Sequence, residues 1–217
     1  MLQSHLVTEA AHEIDTPRGP ARAHVHQADE ARAALVLGHG AGGGVTSPDL
    51  VAARDVALAE GVTVALVEQP YLVAGRRSPP RIEQLETAWI AVVEHLVAGD
   101  LSGLPLIVGG RSLGGRVACR TVEATGGVAV LCLAFPLQPR ARSGKEPPPS
   151  RVGELEGVTV PTLVVQGTSD PFGMPPTGRN RDVVRVPGTH SLRADLEAVA
   201  TAVRDWLPVV VAEATTG

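Results

Sequence analysis

The stretch GGRSLGGR (109–116) surrounds a single serine with four glycines. It overlaps the end of the apolar run PLIVGG (105–110), which predicts a buried strand, and it opens a segment with helical periodicity. A sharp turn from strand into helix brings the two backbones close together, so the positions two before and two after the central residue must be small. Gly110 and Gly114 occupy these positions around Ser112. The pattern therefore predicts a nucleophile elbow that exposes the serine hydroxyl.

Strand and helix patterns alternate along the rest of the chain. Short apolar runs that end in glycine or proline indicate buried strands at 33–40, 62–70, 105–110, 128–136, 161–167 and 182–188. Apolar residues at helical spacing predict helices at 47–61, 81–99, from Ser112 to about Thr125, and 194–208. The segment 21–28 is expected to be an edge strand paired with residues 4–9. This alternation predicts an α/β fold: a mostly parallel central sheet with helices on both faces and no inserted cap domain.

The composition excludes several classes of protein. The chain has 217 residues, 44% of them hydrophobic, and a net charge of -4, which predicts one domain over 1–217 and no nucleic-acid partner. No apolar run reaches the roughly 18 residues of a membrane span, and the N-terminus does not resemble a secretory signal, so we expect a cytoplasmic protein without a membrane partner. Cys119 and Cys132 are expected to be buried thiols. The sequence leaves open whether the protein is a monomer or a homodimer.

A nucleophilic serine needs a base, and the base needs an orienting carboxylate; behind a nucleophile elbow they follow in the order acid, then histidine. His190, in VPGTHSL just past a predicted strand, is the one histidine after Ser112. Asp170, in LVVQGTSDPFG, follows the preceding strand by three residues. Asp182 is the alternative acid, but it opens a strand at the opposite edge of the sheet. A glycine-rich turn with a serine helix cap would explain Ser112 alone, but it would not explain all three residues.

Acyl transfer also needs hydrogen-bond donors for the oxyanion. The backbone N–H of Leu113, which follows the nucleophile, is one expected donor. The other should come from the loop GHGAGGG (38–44), from Ala41 or alternatively from Gly42. A phosphate-binding loop is the alternative interpretation of these glycines, but the spacing fits neither of its common motifs.

The segment PYLVAGRRSPPR (70–81) leaves the end of a central strand, near the place where α/β sheets bind ligands. Tyr71, Arg76 and Arg77 could therefore line the mouth of the pocket, and the two arginines could take a carboxylate or phosphate. The residues predicted to bind substrate are Gly42 of the glycine loop, Tyr71 and Arg77. The alternative is a solvated loop in which Arg76 or Arg77 pairs with Glu68. Arg111, beside the nucleophile, is interpreted as fixing the neighbouring loop.

Six segments stand in the order of a known family: LGHGAGG, EQPYLVAGRRSPP, GGRSLGGRVA, LAFPLQP, PTLVVQGTSDPFG and PGTHSL. They resemble the α/β-hydrolase superfamily, and within it the small lidless branch related to dienelactone hydrolase, of the testis-expressed and KANSL type. The resemblance covers residues 33–206. It implies a triad of Ser112, Asp170 and His190, with Ala41 and Leu113 as the oxyanion pair, and neither a metal nor an organic cofactor. Dienelactone hydrolases proper carry cysteine at the nucleophile position, so lactone specificity is not carried over.

The motifs and the resemblance together predict a serine hydrolase that cleaves a small-molecule ester or thioester through an acyl-enzyme. A cofactor-free perhydrolase activity from the same triad is a further possibility that only peroxide-dependent turnover would separate. The alternative from another class is a non-catalytic binding scaffold, because a fold does not fix a function. The complete triad favours the enzyme.

Overall fold

The computed structural model describes residues 9–139, 146 and 148–216. Within these residues one sheet of eight strands runs in the order β1-β2-β4-β3-β5-β6-β7-β8. The strands are β1 (Glu9–Ile14), β2 (Ala21–His26), β3 (Ala33–Gly38), β4 (Val62–Glu68), β5 (Leu106–Arg111), β6 (Ala129–Leu133), β7 (Thr162–Gly167) and β8 (Arg181–Val186). The chain enters through an antiparallel edge, since β1 pairs with β2 and β2 with β4 in antiparallel register. All other neighbours are parallel.

Helices cover both faces of this sheet. The described helices are α1 (Pro48–Ala59), α2 (Pro70–Val73), α3 (Ile82–Ala98), α4 (Leu113–Thr125), α5 (Val152–Glu156) and α6 (Leu196–Thr216). One face packs against α3, α4 and the short helix α5, and the other packs against α1 and α6. The fold class that the sequence predicts is confirmed: a mostly parallel sheet between two helical layers.

Two predicted boundaries were wrong. The strand β2, expected at the edge of the sheet, lies between β1 and β4, so the edge strand is β1. The partner of β2 is Glu9–Ile14, later in the chain than the expected 4–9, and residues 4–8 lie outside the described residues. The last helix does not end at Pro208 but continues to Thr216. Val210 and Val211 beyond the proline are each 3% exposed. Their burial stabilises the helix by about 1.5–3 kcal/mol each, which offsets a proline cost of about 3 kcal/mol.

The parallel strands bring their carboxyl ends to one edge of the sheet. Loops after β3, β4, β5, β7 and β8 therefore meet there, and they carry the predicted site residues. The expected buried thiols, Cys119 on α4 and Cys132 on β6, are free and lie with their Sγ atoms 3.5 Å apart. Among the described residues, no helix is long and apolar enough to cross a membrane.

Candidate active site

The turn between β5 and α4 holds Ser112 in a strained conformation, with φ 51° and ψ -105°. The glycines on either side explain how the chain reaches it. A Cβ on Gly114 would lie 2.2 Å from the carbonyl oxygen of Gly38 on β3, and one on Gly110 would lie 2.4 Å from the same oxygen. Both distances are shorter than a Cβ atom can approach an oxygen atom. Strand β5 and helix α4 can therefore pack against β3 only because these two residues have no side chain. The backbone thus places the hydroxyl at the N-terminus of α4.

His190 lies between Ser112 and Asp170. Its Nε2 is 2.9 Å from Ser112 Oγ, and its Nδ1 is 2.8 Å from Asp170 Oδ2. A carboxylate can only accept a hydrogen bond, so Nδ1 carries the ring proton and Nε2 is free to accept the serine proton. The alternative acid, Asp182, lies at the amino end of the edge strand β8, away from this edge of the sheet. The three side chains that the sequence singles out are therefore the ones that meet.

The residues that hold Asp170 were not predicted from the sequence. The Asp170 side chain has no exposed surface, and its Oδ2 accepts a 2.8 Å hydrogen bond from the Nε2 of Gln166, which is fully buried on β7. Its Oδ1 accepts a 2.8 Å bond from the backbone N–H of Phe172. The Phe172 ring also packs on the His190 ring, with centroids 4.5 Å apart. A polar residue inside the apolar run TLVVQG was the available signal for Gln166.

Arg111 joins the nucleophile turn to the histidine loop. Its Nε donates to Oδ2 of Asp49 at 2.9 Å, and its Nη2 donates to the His190 carbonyl at 3.2 Å. Asp49 lies in the first turn of α1 with no exposed side-chain surface. This buried ion pair occupies the Arg111 side chain in fixing the loops around the triad, and sequence reasoning did not find Asp49.

The glycine loop 38–44 passes beside the nucleophile. A Cβ on Gly40 would lie 3.6 Å from Ser112 Cβ and 2.7 Å from Arg111 Nη1. Ala41 follows directly, while Gly42 faces open space, since a Cβ there would have no heavy atom within 4 Å. Leu113 is the first residue of α4 and follows Ser112 directly. The loop and the elbow thus flank the serine from two sides.

Two buried side chains hold this loop in place. His39 accepts a 3.1 Å hydrogen bond at Nε2 from the Gln69 backbone N–H and donates from Nδ1 to the Gly40 carbonyl at 2.8 Å. Burial lowers the pKa of His39, although the Gly40 carbonyl and Glu68 act in the opposite direction. The Tyr71 hydroxyl donates to the Ala41 carbonyl at 3.1 Å, and burial raises its pKa to about 12.

Tyr71 and Arg77, both expected to bind substrate, are placed differently. Tyr71 is 5% exposed and lies behind the glycine loop, whereas Arg77 is exposed to solvent. Glu68, the alternative partner for the arginines, lies 3.4 Å from Arg22 and 3.3 Å from His24. Within the described part of the chain, no group of three or more histidine, cysteine, aspartate or glutamate residues is arranged to hold a metal ion.

The sequence of the chain matches the model of a known protein family. The model of a family described as an alpha/beta hydrolase domain matches residues 31–194. No curated protein matches the chain in sequence.

Solved structures share the fold. A lidless a/b serine hydrolase from Xanthomonas campestris, XC6422, is 22% identical, with a TM-score of 0.72 over 92% of this chain and 95% of its own. A dienelactone hydrolase from Anabaena variabilis is 18% identical, with a TM-score of 0.75 over 94% and 99%. Est1E from Butyrivibrio proteoclasticus, solved with ferulic acid bound, is 19% identical, with a TM-score of 0.74 over 93% and 100%. The TM-scores show that these chains have the fold in common.

Proposed function

The chain belongs to the alpha/beta hydrolase domain family, and we propose that it is a serine hydrolase cleaving small carboxylic esters or thioesters. One observation carries the proposal: the continuous line of hydrogen bonds from Ser112 through His190 to Asp170. A serine at the surface of a binding scaffold would not need a base at 2.9 Å or a buried carboxylate behind it. The segments EQPYLVAGRRSPP and LAFPLQP support the further proposal that, within the family, the chain resembles the small lidless branch of the testis-expressed and KANSL type.

The proposed reaction begins when Ser112 Oγ attacks the substrate carbonyl carbon while its proton passes to His190 Nε2. Asp170 keeps the ring in the tautomer with the proton on Nδ1 and stabilises the imidazolium that forms. His190 then protonates the leaving alcohol or thiol, and the acyl group stays on Ser112. Water attacks this acyl-enzyme, with His190 again as the base, and releases the carboxylic acid.

The oxyanion of each tetrahedral intermediate would be held by the backbone N–H groups of Leu113 and Ala41. Leu113 follows Ser112 in the elbow, and Ala41 follows Gly40, which lies beside the Ser112 side chain. The N-terminus of α4 adds a favourable dipole at the same place.

The surroundings of the triad favour small substrates. Between β6 and β7, where an inserted domain would cover the site, residues 134–161 contain the five-residue helix α5 within the part that is described. Gly42 faces open space beside the loop. A shallow site of this kind favours short acyl groups over long buried chains.

A fluorophosphonate tests the proposal, because it reacts rapidly with an activated serine and not with ordinary serine hydroxyls. Intact mass should show one adduct on the wild-type protein, none on Ser112→Ala, and slower addition to His190→Ala. Ser102→Ala, which removes an exposed serine remote from the triad, is the matched control and should label like the wild type. Turnover of short p-nitrophenyl esters should fall by about 10⁴–10⁶ in Ser112→Ala.

A folded wild-type protein that gains no adduct would contradict the proposal and favour the scaffold. Ester turnover that appears only with added hydrogen peroxide would instead indicate a perhydrolase using the same residues.

A further inference from the structure

A cavity of about 260 Å³ lies at the carboxyl end of β4, separated from the nucleophile strand β5 by β3 alone. Two strand spacings amount to about 10 Å. Three segments form the walls of this cavity: the turn before β2, the short helix α2 with the residues around it, and the beginning of α3. The reaction proposed above does not use it.

The cavity is positively charged. Arg18 and Arg76 line it, and no aspartate or glutamate does. Neither arginine forms an ion pair with another of the described residues. Thr16 fixes the turn that carries Arg18, because its Oγ1 accepts from the Arg18 backbone N–H at 3.1 Å and donates to the Gly19 carbonyl at 2.6 Å. Two exposed arginines that line one cavity and have no ion-pair partner among the described residues are suited to a carboxylate or a phosphate.

The rest of the wall is mainly apolar but includes two glutamines, Gln69 and Gln84, of which Gln69 is poorly satisfied. Pro20, Pro70 and Leu85 contribute apolar surface. Gln69 is 6% exposed, and its Oε1 accepts no hydrogen bond from a described residue. Its Nε2 makes one long bond, 3.4 Å, to the Leu85 carbonyl. The Gln69 amide can therefore turn toward a ligand at the cost of little internal bonding.

Two residues that line the cavity also form hydrogen bonds with the glycine loop. The Gln69 backbone N–H binds His39, and the Tyr71 hydroxyl binds the Ala41 carbonyl, and both residues line the cavity. A smaller void under the elbow is lined by Gln69 and Tyr71 as well, and it reaches Leu113. Whatever fills the cavity thus touches the residues that hold Ala41.

We propose that this cavity binds a small organic anion, with a carboxylate or phosphate between Arg18 and Arg76 and an apolar body in the cavity. The volume suits such a ligand, since an apolar cavity of about 150 Å³ is enough for benzene. The anion is either the remote end of the substrate or a separate effector. The binding arm of the test is independent of the proposed function; only the kinetic arm rests on it.

Calorimetry with 3-phenylpropionate at low salt tests the binding, with 3-phenylpropionamide as the neutral probe of the same shape. The acid should bind about fivefold or more tightly than the amide, and Arg18→Gln and Arg76→Gln should each weaken it about fivefold. Arg179→Gln is the matched control, because Arg179 is an exposed arginine that does not line the cavity, and it should leave the Kd unchanged. Ala74→Trp, which fills the cavity without a change of charge, should abolish binding.

Kinetics distinguish the two sources of the anion. If it is part of the substrate, Arg18→Gln raises KM for p-nitrophenyl hemiglutarate about fivefold and leaves KM for the neutral p-nitrophenyl valerate unchanged. If it is an effector, 3-phenylpropionate changes the turnover of the neutral ester in the wild type and not in Ala74→Trp. Either result supports the site.

Equal binding of acid and amide, or acid binding that Arg18→Gln and Ala74→Trp both leave intact, would overturn the proposal. Acid binding that disappears when Ser112 carries the phosphonate, yet tolerates both substitutions, would place the acid at the nucleophile and overturn it as well. A wild-type protein without esterase activity that still binds the acid through Arg18 would reject the hydrolase and keep the anion site.

Discussion

The two proposed oxyanion donors lie in two walls of the site: the elbow wall, residues 110–114, and the loop wall, residues 38–44. Different kinds of contact hold these two walls in place. Leu113 follows an elbow in which backbone meets backbone, because Gly110 and Gly114 pack directly on Gly38. Ala41 lies in a loop that is held by side chains, the ring of His39 and the hydroxyl of Tyr71. Where two backbones touch, no side chain can change its rotamer to make room for an added Cβ atom. Each side-chain hydrogen bond in the loop, by contrast, contributes only about 1 kcal/mol to the free energy of unfolding. We therefore expect a single substitution in the elbow to cause a large loss in the free energy of unfolding. Each substitution in the loop should cause a small loss.

Gly114→Ala should have the largest effect. The new Cβ would lie 2.2 Å from the Gly38 carbonyl oxygen and 2.4 Å from its carbon, so β3 and α4 would have to separate. We expect a loss of about 4 kcal/mol or more in the free energy of unfolding, a large part of the stability of an ordinary domain. Urea denaturation followed by circular dichroism measures it.

Gly42→Ala makes the same change in the other wall and serves as the control. Its Cβ would meet no heavy atom within 4 Å, so the free energy of unfolding should stay within about 0.5 kcal/mol of the wild type. Equal stability losses at the two glycines would contradict the contrast between the walls.

His39→Gln tests the side-chain wall and carries a pH signature. It removes the ring that joins the Gln69 N–H to the Gly40 carbonyl, and we expect a loss of about 2 kcal/mol at pH 8. Burial lowers the pKa of His39 in the folded state, while the unfolded chain takes up this proton near pH 6.5. The unfolded state thus binds more protons just below pH 6.5, and the contribution of His39 to stability falls as the pH drops.

The advantage of the wild type over His39→Gln should accordingly be largest above about pH 7 and shrink toward pH 5. Urea titrations of both proteins across this range give the difference, in which the titration of other groups cancels. A difference that grows toward pH 5 would mean that His39 is charged in the folded protein.

The elbow wall could be predicted from the sequence better than the loop wall, because backbone spacing within a few residues determines the elbow. Gly110, Ser112 and Gly114 are close in sequence, and their spacing follows from the backbone alone. The positions of Asp170 and His190 after strands likewise have local signals. Strand and helix periods likewise predicted most of the fold, although α2 and α5 are too short for a periodic pattern and the burial of Val210 and Val211 carried α6 past Pro208.

Contacts between segments that are distant in the chain could not be predicted from local sequence patterns. Asp49 reads as an ordinary acidic residue near a helix start, and its partner Arg111 is 62 residues away. Gln166 binds the Phe135 carbonyl as well as Asp170, which depends on the neighbouring strand. Tyr71, expected at the pocket mouth, is buried because α2 turns it toward the glycine loop.

Tyr71→Phe should have the smallest effect and gives the finest test of the loop wall. It removes one hydroxyl and its 3.1 Å bond to the Ala41 carbonyl, and it keeps the ring that packs 5.7 Å from His39. We expect a loss of about 1 kcal/mol in the free energy of unfolding and a severalfold lower kcat with little change in KM, because the oxyanion donor would be held less firmly. Since the pKa of Tyr71 is raised to about 12, the phenol stays protonated and the activity ratio of variant to wild type should be constant from pH 6 to 9. A ratio that changes across this range would show that the hydroxyl takes part in proton transfer, and an unchanged kcat would show that His39 alone holds the loop.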